Sequence, residues 1–252
     1  MKDRYRMGLV SISFRSHTPR EILEAMRRAG LTCIEWGSDV HAPCRDTAAL
    51  RAIASLQEEY GIACSSYGTY FRLGVTPPSE LSDYIAAAGL LGTRTLRLWC
   101  GEKRGADMSG EERAALLAEC RRAAALAEDR GVTLAMECHM QTLTEDPRDA
   151  AWLVEEIGSP AFRLYWQPFQ WQTPEENRRN AAVFAPYTEH IHVFHWRGSE
   201  KLPLREAVGD WQGYLAEFTT PRTLLLEFMP GGTLGELKEE AAALRRITGG
   251  EK

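Results

Sequence analysis

The chain has 252 residues, 44% of them hydrophobic and 26% charged, with a formal net charge of −5. That length is ample for a large core, and the acidic balance argues against a broad surface for nucleic acid or anionic membrane. No apolar run approaches the ~18–20 residues of a membrane span.

At the N-terminus, Arg15 interrupts the one apolar stretch before it is long enough for a signal peptide. Residues 7–14 (MGLVSISF) read as a first strand, and 18–30 as a helix with Thr18 as N-cap, Pro19 at the first position and Gly30 as stop. A second strand at 32–36 and a helix at 46–61 follow, then a strand at 62–68 and a helix at 78–92. The fourth unit is strand 93–100 with helix 109–131, capped by Ser109 and ended by Gly131. Strand 132–138 with helix 146–158, strand 162–167 with helix 173–187, and strand 190–196 continue the alternation. A looser stretch, 197–209, is a candidate lid or rim loop before the helix at 210–218. Strand 223–228 and helix 233–247 close the series.

Eight strand–helix units with near-continuous apolar strands predict a parallel sheet covered by helices. Eight units without a ninth favour one closed (β/α)8 TIM barrel spanning residues 1–252 over an open doubly wound sheet. The six cysteines (33, 44, 64, 100, 120 and 138) form no CxxC pair and read as buried reduced thiols, which points to a cytoplasmic protein.

Four late strands end on, or carry near their end, a residue able to bind a divalent metal: Glu137, Gln167, His192 and Glu227. In a closed parallel barrel such ends meet at the C-terminal rim, where enzymes of this architecture keep their active sites. A carboxylate ending a buried strand is expensive unless it is paired or metal-bound, and both glutamates follow apolar runs. On the seventh strand His192 and His195 are three apart and cannot face the same way, whereas His190 and His192 can. Aromatic residues crowd the expected strand ends: Trp36, Tyr67, Tyr70, Phe71, Trp99, Trp166, Trp196 and Phe228. They could stack on sugar C–H faces or simply plug the barrel. Arg15, Arg72, Arg97, Lys103 and Arg197 lie at or just beyond strand ends and are candidates for an anionic group. No Walker loop, GxGxxG or GxSxG is present, so a nucleotide fold or a serine hydrolase has no motif to rest on.

Three motifs then carry a resemblance: the E-x-H of Glu137 and His139, the H-V-F-H of His192 to His195, and the LLLEF ending in Glu227 and Phe228. Over essentially the whole chain it resembles the xylose isomerase-like (β/α)8 superfamily of sugar isomerases and epimerases, which also includes endonuclease IV. The resemblance implies one divalent metal ion (Mn²⁺, Mg²⁺ or Zn²⁺) on Glu137, Gln167, His192 and Glu227. It also selects His192 from the three histidines. The family usually has D-x-x-H on strand six; Gln167 and Gln170 stand there instead, and His195 replaces the Asp common after the strand-seven motif. The expected ligand set therefore carries two negative charges rather than three, and the ion should bind less tightly than in an Asp-containing relative.

The favoured reaction is isomerisation or epimerisation of a small sugar or sugar-like hydroxy-carbonyl compound, with Glu137 and Glu227 as the acid–base pair. His139, Trp99, Tyr67, Trp166, Gln170, His195, Arg197 and Trp36 are the expected substrate-binding residues. A dehydratase of a cyclic polyol on the same site, or a non-catalytic sugar-binding barrel that has lost its metal, are the rivals. No nucleic-acid or membrane partner is expected, and the oligomeric state is left open, a homo-oligomer included.

Overall fold

The computed structural model describes residues 5–220 and 222–250; the ends of the 1–252 span lie outside them. Eight strands form a closed, wholly parallel barrel: β1 (Arg6–Val10), β2 (Cys33–Gly37), β3 (Ala63–Leu73), β4 (Thr95–Cys100), β5 (Thr133–Glu137), β6 (Phe162–Trp166), β7 (Thr188–Val193) and β10 (Thr223–Leu226). The small β8 (Trp196–Arg197) and β9 (Glu200–Lys201) form a separate antiparallel hairpin. Going round the barrel the order is β1, β10, β7, β6, β5, β4, β3, β2. One α-helix follows each barrel strand in sequence: α1 (Pro19–Ala29), α2 (Thr47–Tyr60), α3 (Leu81–Leu90), α4 (Gly110–Arg130), α5 (Pro147–Ile157), α6 (Pro174–Phe184), α7 (Val208–Leu215) and α8 (Leu237–Ile247). This is the (β/α)8 architecture the alternating pattern predicts.

The local chemistry explains the boundaries. Thr18, Ser109 and Thr173 each make a full capping box with the glutamate three residues on. Gly30 and Gly131 end α1 and α4 in the left-handed region that glycine enters without steric cost. Several boundaries differ from the sequence expectation, the seventh strand for instance running over Thr188–Val193 rather than 190–196. The first strand ends at Val10, and residues 11–14 turn into a 3-10 helix. The third runs on to Leu73 through a register break between Gly68 and Arg72. The loose stretch 197–209 contains most of the β8–β9 hairpin and a 3-10 turn, Leu204–Ala207.

Most of the apolar core lies between strands and helices. The barrel interior holds a smaller apolar cluster of Val10, Ile12, Cys33, Ala135, Tyr165 and Leu225. Strand parity sets who joins it: alternate residues face opposite sides, so Tyr165 points in while Trp166 points out. The rest of the interior is polar, with Glu35, Ser66, Arg97, Glu137 and His192 all buried. All six cysteines are free and five are buried. Among the described residues no helix is long and apolar enough to cross a membrane.

Candidate functional site at the C-terminal rim

The inward ends of β4, β5, β7 and β10, with the segment after β6, converge on one point. Glu137, His192 and Glu227 each offer a ligand atom within 4.8 Å of the others. His192 is the hub. Its Nδ1 lies 3.3 Å from Gln167 Oε1, 3.4 Å from Glu137 Oε1 and 3.5 Å from Glu227 Oε2. Gln167 presents that oxygen because its amide nitrogen donates to the carbonyl of Cys138 at 3.2 Å. The parity that selects His192 also brings in His190, but one layer deeper, where its nitrogens meet the carbonyls of Glu189 and Ser65.

The two glutamates have different surroundings. Glu137 Oε2 accepts hydrogen bonds of 2.6 Å from both Arg97 Nη1 and Trp99 Nε1, leaving Oε1 toward His192. Glu227 faces no hydrogen-bond donor except His192 among the described residues. Burial raises both carboxyl pKa values. For Glu137 the charges of Arg97 and His192 outweigh burial and hold it well below the ordinary carboxylate range. For Glu227 burial wins, with Glu137 and Glu35 adding to it against His192 and Arg97, and the group is pushed up to about 7. Burial disfavours a charged His192, but the ring of carboxylates lifts it to about 10. As protein groups alone, the cluster holds excess negative charge and retains a proton to offset it.

These donors fit a divalent cation. Adjacent ligands at ~2.1 Å from one octahedral ion lie about 3.0 Å apart, close to the 3.3–3.5 Å separations around His192 Nδ1. Two carboxylates, one imidazole and one amide oxygen suit Mn²⁺, Mg²⁺ or Zn²⁺.

The cluster forms the floor of a cavity of about 200 Å³. Trp99, Phe169, Phe194, Trp196 and Phe228 wall it, and Arg15, Tyr70, His139, Met140 and Gln170 also line it. Phe228 is one of two non-glycine residues with positive φ (43°) among those described. Its strained backbone is pinned by Ser13 Oγ, which accepts from its N–H, and by Trp196 Nε1, which donates to its carbonyl. Arg15 is already engaged: Nε donates to Asp39 and a terminal nitrogen to the Tyr70 hydroxyl, both at 2.5 Å.

Of the expected substrate-binding residues, the cavity contains His139, Trp99 and Gln170. The other five do not line it. Trp36, Tyr67 and Trp166 are fully buried and point outward to the helices. Trp36 donates to Gln57 of α2, Tyr67 donates to the Ala42 carbonyl, and Trp166 packs against Trp211 and Tyr214 of α7. Their neighbours Glu35, Ser66 and Tyr165 take the inward positions, so parity excludes all three from the substrate side. His195 and Arg197 line an adjacent hollow of about 160 Å³, and His195 Nδ1 meets the Pro203 carbonyl at 3.1 Å. Residues not foreseen are Ile12, Met140, Phe169 and Phe194, which loops and turns carry in, and the buried Glu35 beneath the cluster. A charge inside the apolar second strand, expensive unless paired, is the sequence signal that could have found Glu35.

Comparison with known proteins agrees with this architecture. Residues 23–247 match the family described as xylose isomerase-like TIM barrel. No curated protein matches. Among solved structures, the probable 3-DHS dehydratase AsbF of Bacillus anthracis superposes with TM-score 0.79 at 17% identity, covering 95% of this chain and 98% of that one. A D-psicose 3-epimerase solved in the presence of D-fructose superposes with TM-score 0.71 at 14% identity, covering 97% and 100%. The D-psicose 3-epimerase of Clostridium cellulolyticum H10, solved with D-tagatose, gives 0.68 at 13%, covering 98% and 92%. At such identities the likeness is one of fold.

Proposed function

The chain belongs to the xylose isomerase-like TIM barrel family, and from that premise we propose that it is a divalent-metal-dependent isomerase or epimerase of a small sugar or sugar-like hydroxy-carbonyl compound. The observation that carries this reading is the buried Glu137–His192–Glu227 cluster, with Gln167 beside it, at the floor of a small aromatic-walled cavity. A cation held by Glu137, Gln167, His192 and Glu227 would supply Lewis-acid polarisation of a carbonyl and its neighbouring hydroxyl. Glu227, free of competing donors, removes the proton next to the carbonyl and leaves an enediolate. Glu137, clamped through Oε2, offers Oε1 as the second proton-transfer group. Trp99 and the phenylalanines stack on the sugar and exclude water. Epimerisation uses both carboxylates; isomerisation needs one.

The test is solvent exchange. In D₂O with Mn²⁺, at least one member of a ketose and aldose panel should take up deuterium at the carbon next to its carbonyl, and a chelator should stop the uptake. Metal binding without exchange on any sugar would sink the catalytic reading and favour a sugar-binding barrel. One observation supports a second reading, dehydration of a cyclic polyol. With Glu137 Oε2 held by two donors, Glu227 and His139 are the less constrained groups at the cavity, and elimination needs one base and one acid for the departing hydroxyl. Loss of one water from the product, seen by mass spectrometry, distinguishes it.

The geometry also refines the expectation for Gln167. Asp is one methylene short of the amide oxygen that faces His192, whereas Glu is isosteric. Gln167→Glu should therefore tighten Mn²⁺ binding at least about tenfold, because a full charge replaces a dipole beside the cation. Calorimetry giving equal or weaker binding in the variant would remove Gln167 from the ligand set.

A further inference from the structure

Beneath the rim cluster lies a charged group that the proposed reaction does not use. Glu35, on β2, is completely buried. One oxygen accepts from Tyr165 Oη at 2.6 Å and from Ser66 Oγ at 2.9 Å; the other accepts from Arg97 Nε at 3.0 Å. The backbone makes room for the pair: a Cβ on Gly68 would fall 2.5 Å from Glu35 Oε1 and 3.0 Å from an Arg97 nitrogen. Such a buried pair is weak evidence for stability, since apolar residues of similar volume often serve a core as well. What Glu35 faces is more specific. His192 Nε2 is buried without a hydrogen-bond partner, and Glu35 Oε1 is 3.6 Å from it. The opposite nitrogen, Nδ1, is the one turned toward Glu137, Gln167 and Glu227.

We propose that Glu35 is a positioning residue for the rim site: it holds the imidazole of His192 as the Nε2–H tautomer, so that the Nδ1 lone pair faces the ligand cluster. The proposal rests on the divalent-metal reading of that cluster. A small tilt of the ring closes the 3.6 Å gap to a charge-assisted hydrogen bond. The carboxylate then fixes ring orientation and raises the basicity of Nδ1, as a carboxylate behind a metal-bound histidine does elsewhere. Arg97 ties the device together, since one guanidinium orients Glu35 through Nε and Glu137 through Nη1. Tyr165 and Ser66 hold the other Glu35 oxygen, leaving Oε1 to His192 and Arg97.

The test uses metal affinity and a spectroscopic signature rather than activity. Glu35→Gln should lower Mn²⁺ affinity about 10–100-fold by calorimetry. Leu225→Ala removes apolar bulk from the same barrel interior while leaving every hydrogen bond of Glu35 in place, and should stay within about threefold of wild type. In the Zn²⁺-loaded wild type, ¹⁵N NMR of the histidines should show His192 protonated at Nε2 with a downfield, slowly exchanging proton, the signal being identified by its absence in His192→Gln. A Leu225→Ala protein that loses as much affinity as Glu35→Gln would make the effect general core damage and overturn the proposal. A His192 protonated at Nδ1 in the Zn²⁺-loaded wild type overturns it even if Glu35→Gln does not fold. A wild type that binds neither ion overturns it together with the metal reading, whereas a wild type that binds Mn²⁺ no better than Glu35→Gln removes Glu35 alone.

Discussion

Glu227→Gln should reduce turnover on any sugar that the protein isomerises or epimerises by about 10²–10⁴-fold, the usual cost of one proton-transfer group. The substitution keeps the shape and an oxygen ligand but removes the base. Glu137→Gln should behave differently. Glu137 Oε2 is committed to Arg97 and Trp99, so the variant first loses an ion pair and a fixed ligand, while Glu227 remains to take a proton. In D₂O, Glu137→Gln should still exchange the substrate proton while making little epimer, and Glu227→Gln should do neither. If both variants turn over at near wild-type rates, the two carboxylates are structural and a non-catalytic sugar-binding role takes their place. Reversed exchange behaviour would assign the first proton transfer to Glu137.

Much of this site was legible in the sequence because the strands announce their own ends. An apolar run closing on Glu137 or Glu227 marks a charge at the edge of a buried element, and the closed barrel then brings such edges together. The aromatic positions were less legible for a reason equally simple. Trp36, Tyr67 and Trp166 are near strand ends, but proximity to an end does not determine side. Parity does: if Gln167 faces in, Trp166 cannot. The same rule places Arg97 and Trp99 together on the inner face, where both donate to Glu137. Phe169 and Met140 lie beyond the last strand residues, where period-2 logic stops and loop conformation decides, so no pattern in the chain marks them, whereas Phe194 shares the parity of His192. Fold class was the easier problem, since it depends on eight repetitions of one unit, whereas the cavity wall depends on single residues in turns.

Arg97→Met should destabilise the protein by about 3–5 kcal/mol, the range for removing one partner of a buried charge pair. The side chain is 2% exposed and its guanidinium bridges Glu35 and Glu137, themselves buried. Met approximates the volume, so a cavity contributes little and the cost is mainly electrostatic: two carboxylates left close together with His192 as their remaining cation. The loss should be visible as a lower urea midpoint with an unchanged slope, because the surface exposed on unfolding is nearly the same. The charge argument makes a second demand. If the deficit is one of positive charge at the base of the rim cluster, saturating Mn²⁺ should restore more stability to Arg97→Met than its binding adds to wild type, provided the variant still binds the ion. A loss below about 1 kcal/mol would mean that the carboxylates escape by protonation or by admitting water, and Arg97 would then be dispensable to the fold. Equal stabilisation of both proteins by Mn²⁺ would separate the cation site from the buried pair beneath it, and Arg97 would be a structural tie alone.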